Sequence, residues 1–221
     1  MRRVHHDRRV NNITSAFFDA ASCATALLER HEVESHWTRP SVLAEFTVAG
    51  LAGHLLRGIM TVETYLDAPV TAGAPLSAVE YYQAAGLTSD PESKLNRDIR
   101  TRGEEMAAGG ASLLAAAART VLHRLEGRLV SEDPRRSMNV LGGAAISLEQ
   151  YLRTRVVELV VHSDDLALSV GIGDELAIAA TTSGVAIETM VELARARHGD
   201  LAVLRALTRR ERDDVEALRV L

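Results

Sequence analysis

Apolar residues recur along most of this chain at intervals of three and four, the period of a helix face and not of a strand. Between Val10 and His31, the residues Ile13, Phe17, Ala20, Ala21, Ala24, Leu27 and Leu28 keep that spacing and predict a first amphipathic helix. A loop with Trp37, Pro40 and Ser41 follows, and Thr47 stands as the N-cap of a second helix reaching about Leu66. Pro69, Gly73 and Pro75 mark a loop, after which Ser77 caps a short helix through Tyr82. Asp90-Pro91 opens a long helical region to about Leu125, with an interruption at Gly109-Gly110. The stretch Gly127 to Ile146 contains Pro134 and Gly142-Gly143 and predicts irregular structure or a short hairpin. Ser147, with Gln150 three residues later, has the capping-box form and starts a helix ending near Val170. Gly171 and Gly173 stop it, another helix covers about Asp174 to Arg197, and the tail from Gly199 reads as one or two short helices.

Four long helices joined by loops fit an all-α helix bundle. The expected organisation is a frayed basic extension over 1–9, a bundle over 10–171, and C-terminal helices packed on it over 172–221. No repeat or low-complexity tract is visible. The GIGD at 171–174 follows a helix and not a strand, so it reads as a helix stop and start, not a phosphate loop.

Composition narrows the function classes. With 221 residues and 47% apolar residues, the chain is long enough for a large core without staples. Its one cysteine, Cys23, excludes a disulfide framework and a cysteine-built zinc cage. A net charge of −5 and only 4% aromatic residues argue against a nucleic-acid partner. No stretch approaches the ~18–20 apolar residues that cross a bilayer, and the N-terminus has no secretory h-region. A cytoplasmic protein with no membrane partner is the expectation, with a homodimer left open. Of the 25 basic residues only Lys94 is lysine, the bias of a GC-rich genome.

The chemistry concentrates in Tyr151 to Val170. Val156, Val157, Leu159, Val160 and Val161 go all the way round a helical wheel, so this turn is expected to be buried on most sides. Glu158 and His162 sit within it, four apart and therefore on one face. A carboxylate buried without a partner costs several kcal/mol or shifts its pKa, so something must compensate it. One answer is an internal ion pair with Arg155; another is a divalent metal, for which carboxylate and imidazole are both ligands. His54 lies in a similar apolar setting among Leu51, Ala52, Leu55 and Leu56. Read alone, it is a core histidine bonded to a carbonyl. Taken with Glu158 and His162, it completes three protein ligands with a vacant fourth position, the catalytic pattern for zinc.

The segments TVAGLAGHLLRG and YLRTRVVELVVHSDDLALSVG together resemble the mycothiol-dependent maleylpyruvate isomerase family, whose fold is a DinB-like metal-binding four-helix bundle. The resemblance implies a metal held by His54, Glu158 and His162, with zinc the first choice and nickel or iron as alternatives. It also implies mycothiol as thiol cosubstrate, for which a GC-rich genome is a fitting source, and a small electrophile as the second partner. The isomerases carry a further C-terminal α/β domain, whereas the 50 residues after Gly171 read as helical, which sets maleylpyruvate itself apart as substrate.

Metal coordination deprotonates a thiol near neutral pH, and the thiolate is the nucleophile. Cys23 lies at no ligand spacing and reads as a small core residue, so the reactive sulfur is expected from the cosubstrate. Attack on an electrophilic carbon gives an isomerase if the adduct collapses after bond rotation, and an S-transferase if the adduct is released. Around the ligands, Asp165 is placed to orient a ligand histidine. Arg57 and Arg155 are placed to bind a substrate carboxylate through their forked donors, and Tyr151 to donate a hydrogen bond or pack in the core. A non-catalytic metal-binding bundle with a structural or interaction role and a metal-assisted hydrolase remain alternatives.

Overall fold

The computed structural model describes residues 2–69, 73–86 and 92–208, with residues 218 and 220, and side chains from Asn12 onward. Among the described residues the structure is all-α apart from one hairpin. The helices are α1 (Arg2–Leu28), α2 (His31–Ser35), α3 (Val48–Asp67), α4 (Ala78–Ala85), α5 (Lys94–Ala107) and α6 (Ala111–Leu129). Strands β1 (Ser137–Val140) and β2 (Ala144–Ser147) follow, then α7 (Leu148–Ser169), α8 (Ala180–His198) and α9 (Asp200–Thr208). Of the 1–9 extension only the backbone of α1 is described, and the Asp90-Pro91 start lies outside the described residues.

The long helices α1, α3, α6 and α7 enclose the core. Phe17, Ala21 and Ala24 of α1 face Leu51, Leu55 and Ile59 of α3, Leu125 of α6, and Leu152, Val156 and Val157 of α7, all fully buried. Helix α5 lies along α3, and α8 lies against α7, α1 and α4. No described helix is long and apolar enough to cross a membrane.

Local chemistry sets the ends that matter. Thr47 Oγ1 accepts from Gly50 N at 2.9 Å and donates to Glu104 Oε1 at 2.6 Å, so one hydroxyl caps α3 and ties it to α5. The α3–α5 pair is close because glycines meet. A Cβ on Gly53 would lie 2.0 Å from the Gly103 carbonyl oxygen, and one on Gly103 would lie 2.4 Å from that of Gly50. The hairpin pairs Val140 with Ala144 and Ser137 with Ser147, turning through Gly142 at φ 75°, a left-handed conformation that suits glycine.

Two expectations change. Ser147 Oγ accepts from Gln150 N at 3.3 Å, but the Gln150 side chain does not complete a capping box. Its Oε1 instead accepts from Ala78 N at 3.0 Å, capping α4 from α7. The helix expected from Asp174 is only a 3₁₀ turn over Gly173–Glu175, and α8 starts at Ala180. The intervening Leu176 packs against the core and Glu175 pairs with Arg30 at 2.8 Å, contacts that hold the segment out of the helix.

Candidate metal centre

His54 projects from the middle of α3 and Glu158 and His162 from the middle of α7, and the two helices pack side by side. Their donor atoms converge. Glu158 Oε2 lies 3.5 Å from His54 Nε2 and 3.5 Å from His162 Nε2. One donor atom from each residue falls within 4.8 Å of the other two. The imidazole rings stand edge to face, with centroids 4.8 Å apart. These side chains keep 16% to 20% of their surface exposed, so the cluster is reachable from one side.

The spacing suits an ion. Three protein donors at the ~2.0–2.1 Å bond lengths of tetrahedral zinc stand about 3.4 Å apart. At 3.5 Å the imidazole–carboxylate distances exceed a good hydrogen bond. Two neutral-nitrogen donors and one carboxylate also form a donor set that zinc, nickel and iron all accept.

The atoms turned away from this centre are mostly engaged. Glu158 Oε1 accepts from the Tyr82 hydroxyl at 3.1 Å, and that hydroxyl lies equally close to the Thr154 carbonyl. His162 Nδ1 lies 3.0 Å from Asp165 Oδ2, which accepts its proton and leaves Nε2 for the centre. His54 Nδ1 is buried with no partner among the described residues, and the Phe46 ring packs edge-on to the imidazole at 6.3 Å.

Electrostatics in the metal-free protein follow from this geometry. Burial pushes the Glu158 carboxyl up, but the two facing imidazoles and the nearby Arg155 charge outweigh it and hold the group well below the usual carboxylate range. Burial lowers His54, and the facing Glu158 carboxylate does not reverse that. For His162 burial is overcome by Asp165 and Glu158, which raise it to about 9.

The remaining candidates fall around the cluster. Asp165 is in place beside His162. Arg155 forms no ion pair with Glu158; its guanidinium lies 4.8 Å from the Tyr151 ring centre, and its Nε donates to Thr154 Oγ1 at 3.2 Å. Arg57 is partly buried on α3, one turn past His54. Tyr151 is buried and donates to Thr61 Oγ1 at 2.7 Å, away from the donor atoms. Tyr82 was not among the residues singled out from the sequence. Its only signal there is an aromatic residue at the end of a short capped helix.

No curated protein and no solved structure matches the chain. The sequence model of the mycothiol maleylpyruvate isomerase N-terminal domain matches residues 18–167, a span that carries His54, Glu158 and His162 together with Tyr82 and Asp165, and the chain therefore belongs to that family.

Proposed function

We propose that this protein is a metal- and mycothiol-dependent isomerase or S-transferase acting on a small electrophile, with His54, Glu158 and His162 as the metal ligands. One observation carries the reading. Three donor atoms point at a common, partly exposed point, while Tyr82 and Asp165 occupy the outward atoms of Glu158 and His162. His54, Glu158 and His162 would hold a divalent ion, zinc first, and the ion would supply an open position that favours the thiolate form of a bound thiol.

The chain's own groups supply the rest. Asp165 fixes the His162 ring and its tautomer through Nδ1. Tyr82 holds Glu158 so that Oε2 stays turned to the imidazoles. Leu51, Leu55 and Leu159 on the same helices are fully buried. Cys23 lies on α1, where its thiol points at the Ala177 carbonyl oxygen 3.7 Å away, so the reacting sulfur comes from the cosubstrate. That sulfur would pass its proton to solvent and add to the electrophile's carbon–carbon double bond, whose π pair becomes the lone pair of the adduct. The adduct would then rotate about the resulting single bond and expel the thiolate as the double bond re-forms, or take a proton from solvent and leave as the thioether product.

The test is spectroscopic. Cobalt-substituted protein is expected to bind one ion per chain, and mycothiol is expected to shift its visible absorption. His54→Ala should lose the ion. A full cobalt complement whose spectrum ignores mycothiol overturns the thiol reading, and protein that takes up no divalent ion overturns the metal reading with it.

A further inference from the structure

The three side chains of the metal centre are not held alike. Asp165 takes the outward nitrogen of His162, and Tyr82 the outward oxygen of Glu158. His54 turns Nε2 to Glu158, and its outward Nδ1 is buried with no hydrogen-bond partner among the described residues. A ligand histidine ordinarily gives that second proton to a carboxylate or a carbonyl, and the bond fixes the plane of the ring. Here another contact must set the plane. Outside the ligand set it is aromatic: the Phe46 ring meets the imidazole at 67° with centroids 6.3 Å apart, within the edge-to-face range.

A closed loop delivers Phe46. Pro40 and Thr47 pair as an antiparallel bridge at its base, and Ser41 N donates to the Phe46 carbonyl at 2.8 Å. Within it, Phe46 N donates to the Leu43 carbonyl at 3.2 Å, and Leu43 N to Ser41 Oγ at 3.1 Å. Glu45, next to Phe46, has φ 63°, a left-handed conformation that a β-carbon disfavours and that persists only where the surroundings impose it. On the other side Thr47 is fixed by its cap on α3. Phe46 thus sits between a strained residue and an anchored one.

The tip of the loop is tied to the helix that carries the other two ligands. Val42 N donates to Ser169 Oγ at 2.9 Å, and that hydroxyl donates to the Asp165 carbonyl at 2.6 Å. Ser169 ends α7, one turn past Asp165. The Val42 side chain is exposed, so at this residue the bond and not burial holds the tip.

We propose that loop 40–47 is a clamp on His54. Phe46 orients the imidazole in place of the missing hydrogen bond, and Ser169 latches the loop to α7. Phe46 is therefore a positioning residue. The role rests on the reading of His54 as a metal ligand and adds how that site is regulated: opening the latch loosens one ligand of three and leaves Glu158 and His162 with their own supports.

Proton magnetic resonance of the metal-free protein and release of cobalt to a chelator test this on the same variants. In the metal-free protein, Phe46→Ala is expected to shift and broaden the His54 ring protons while those of His162 stay in place. Ser169→Ala undoes the latch and keeps the ring, so it should move the His54 signals in the same direction by less. Phe46→Tyr keeps the aromatic edge and should match the unaltered protein. With cobalt bound, Phe46→Ala is expected to speed release about tenfold or more, the usual effect of losing a ligand's support, and to change the visible spectrum. Ser169→Ala should speed release by a smaller factor. Leu129→Ala opens a cavity at the end of α6, next to the Arg128–Asp67 pair and not at the loop, and reports destabilisation alone. It should melt earlier with His54 signals and cobalt release unchanged. His54 signals that ignore Phe46→Ala overturn the clamp, as does cobalt release that is unchanged in Phe46→Ala or equally fast in Leu129→Ala. His54 signals that respond in a protein taking up no divalent ion overturn the metal reading and not the clamp. A full cobalt complement with unresponsive His54 signals does the reverse.

Discussion

Asp165 Oδ2 stands 3.0 Å from His162 Nδ1, one helical turn away on α7, while the other ring nitrogen faces Glu158 at 3.5 Å. The two nitrogens of one imidazole therefore have separate partners, and the carboxylate decides which of them carries the proton. Partners of this kind fix ring orientation and raise ligand basicity, and their loss typically costs 10–100-fold in metal affinity. Asp165→Asn should weaken zinc binding by about that factor, measured by competition with a chelating indicator. An unchanged affinity would show that the ring is held by packing alone.

The same contact sets a pH dependence. In the metal-free protein, burial works against a charged His162, yet Asp165 and Glu158 hold its pKa up to about 9. A raised histidine gives stability that is fully present below its ordinary value of about 6.5 and is lost as pH rises through the folded value. An ion at Nε2 must displace that proton, whereas His54 is lowered and already neutral near pH 7. Ion affinity should therefore climb about tenfold per pH unit from 7 to 9 and flatten above. Cobalt titrations at several pH values check the slope, and Asp165→Asn should move the plateau to lower pH.

Tyr82 reaches the centre from α4, with its hydroxyl 3.1 Å from both Glu158 Oε1 and the Thr154 carbonyl. Removing that hydroxyl leaves a carboxylate oxygen in an apolar wall without its donor. Such a loss costs about 1–3 kcal/mol. Tyr82→Phe should lower the melting temperature of the metal-free protein by about 2–12 °C for a chain of this length. Bound metal should narrow the gap, because it takes over part of the compensation of Glu158. Equal melting temperatures in the metal-free state would mean that solvent replaces the phenol.

What was legible in the sequence was local. Thr47 and Ser147 cap the helices they were expected to cap, because capping depends on a residue and the amides two or three positions ahead. His54, Glu158 and His162 stood out because polar groups inside apolar turns follow from helical period alone. Tyr82 was not legible. It reaches its place through the docking of a separate helix, α4 held by Gln150 of α7. Gln150 itself carries the lesson: its spacing from Ser147 promises a bond within its own helix, and tertiary packing gives the side chain to Ala78 instead. The short 3₁₀ turn before α8 was hidden for a related reason, since Glu175 answers to Arg30 and not to its helical neighbours.

The glycine contact between α3 and α5 is a point where one methyl group would tell. Alanine is the better helix former by about 1 kcal/mol, so a glycine inside an exposed turn is normally improved by the exchange. A Cβ on Gly127 of α6 would meet nothing within 4 Å, and Gly127→Ala should raise stability by up to about 1 kcal/mol. At Gly50 the new methyl would meet Glu104 Oε1 at 2.6 Å, the end of a side chain that can swing aside at the expense of its bond to Thr47. At Gly53 it would meet the Gly103 carbonyl oxygen at 2.0 Å, and a backbone oxygen inside a helix has nowhere to go. The helices must then separate, and overpacking of this kind costs about 1–3 kcal/mol or more. Denaturant unfolding should rank the variants Gly127→Ala, Gly50→Ala, Gly53→Ala from most to least stable. Separation of α5 should leave the α7 pair Glu158 and His162 in register. A Gly53→Ala protein as stable as Gly127→Ala would mean that α5 does not rest on α3 in solution as it does here.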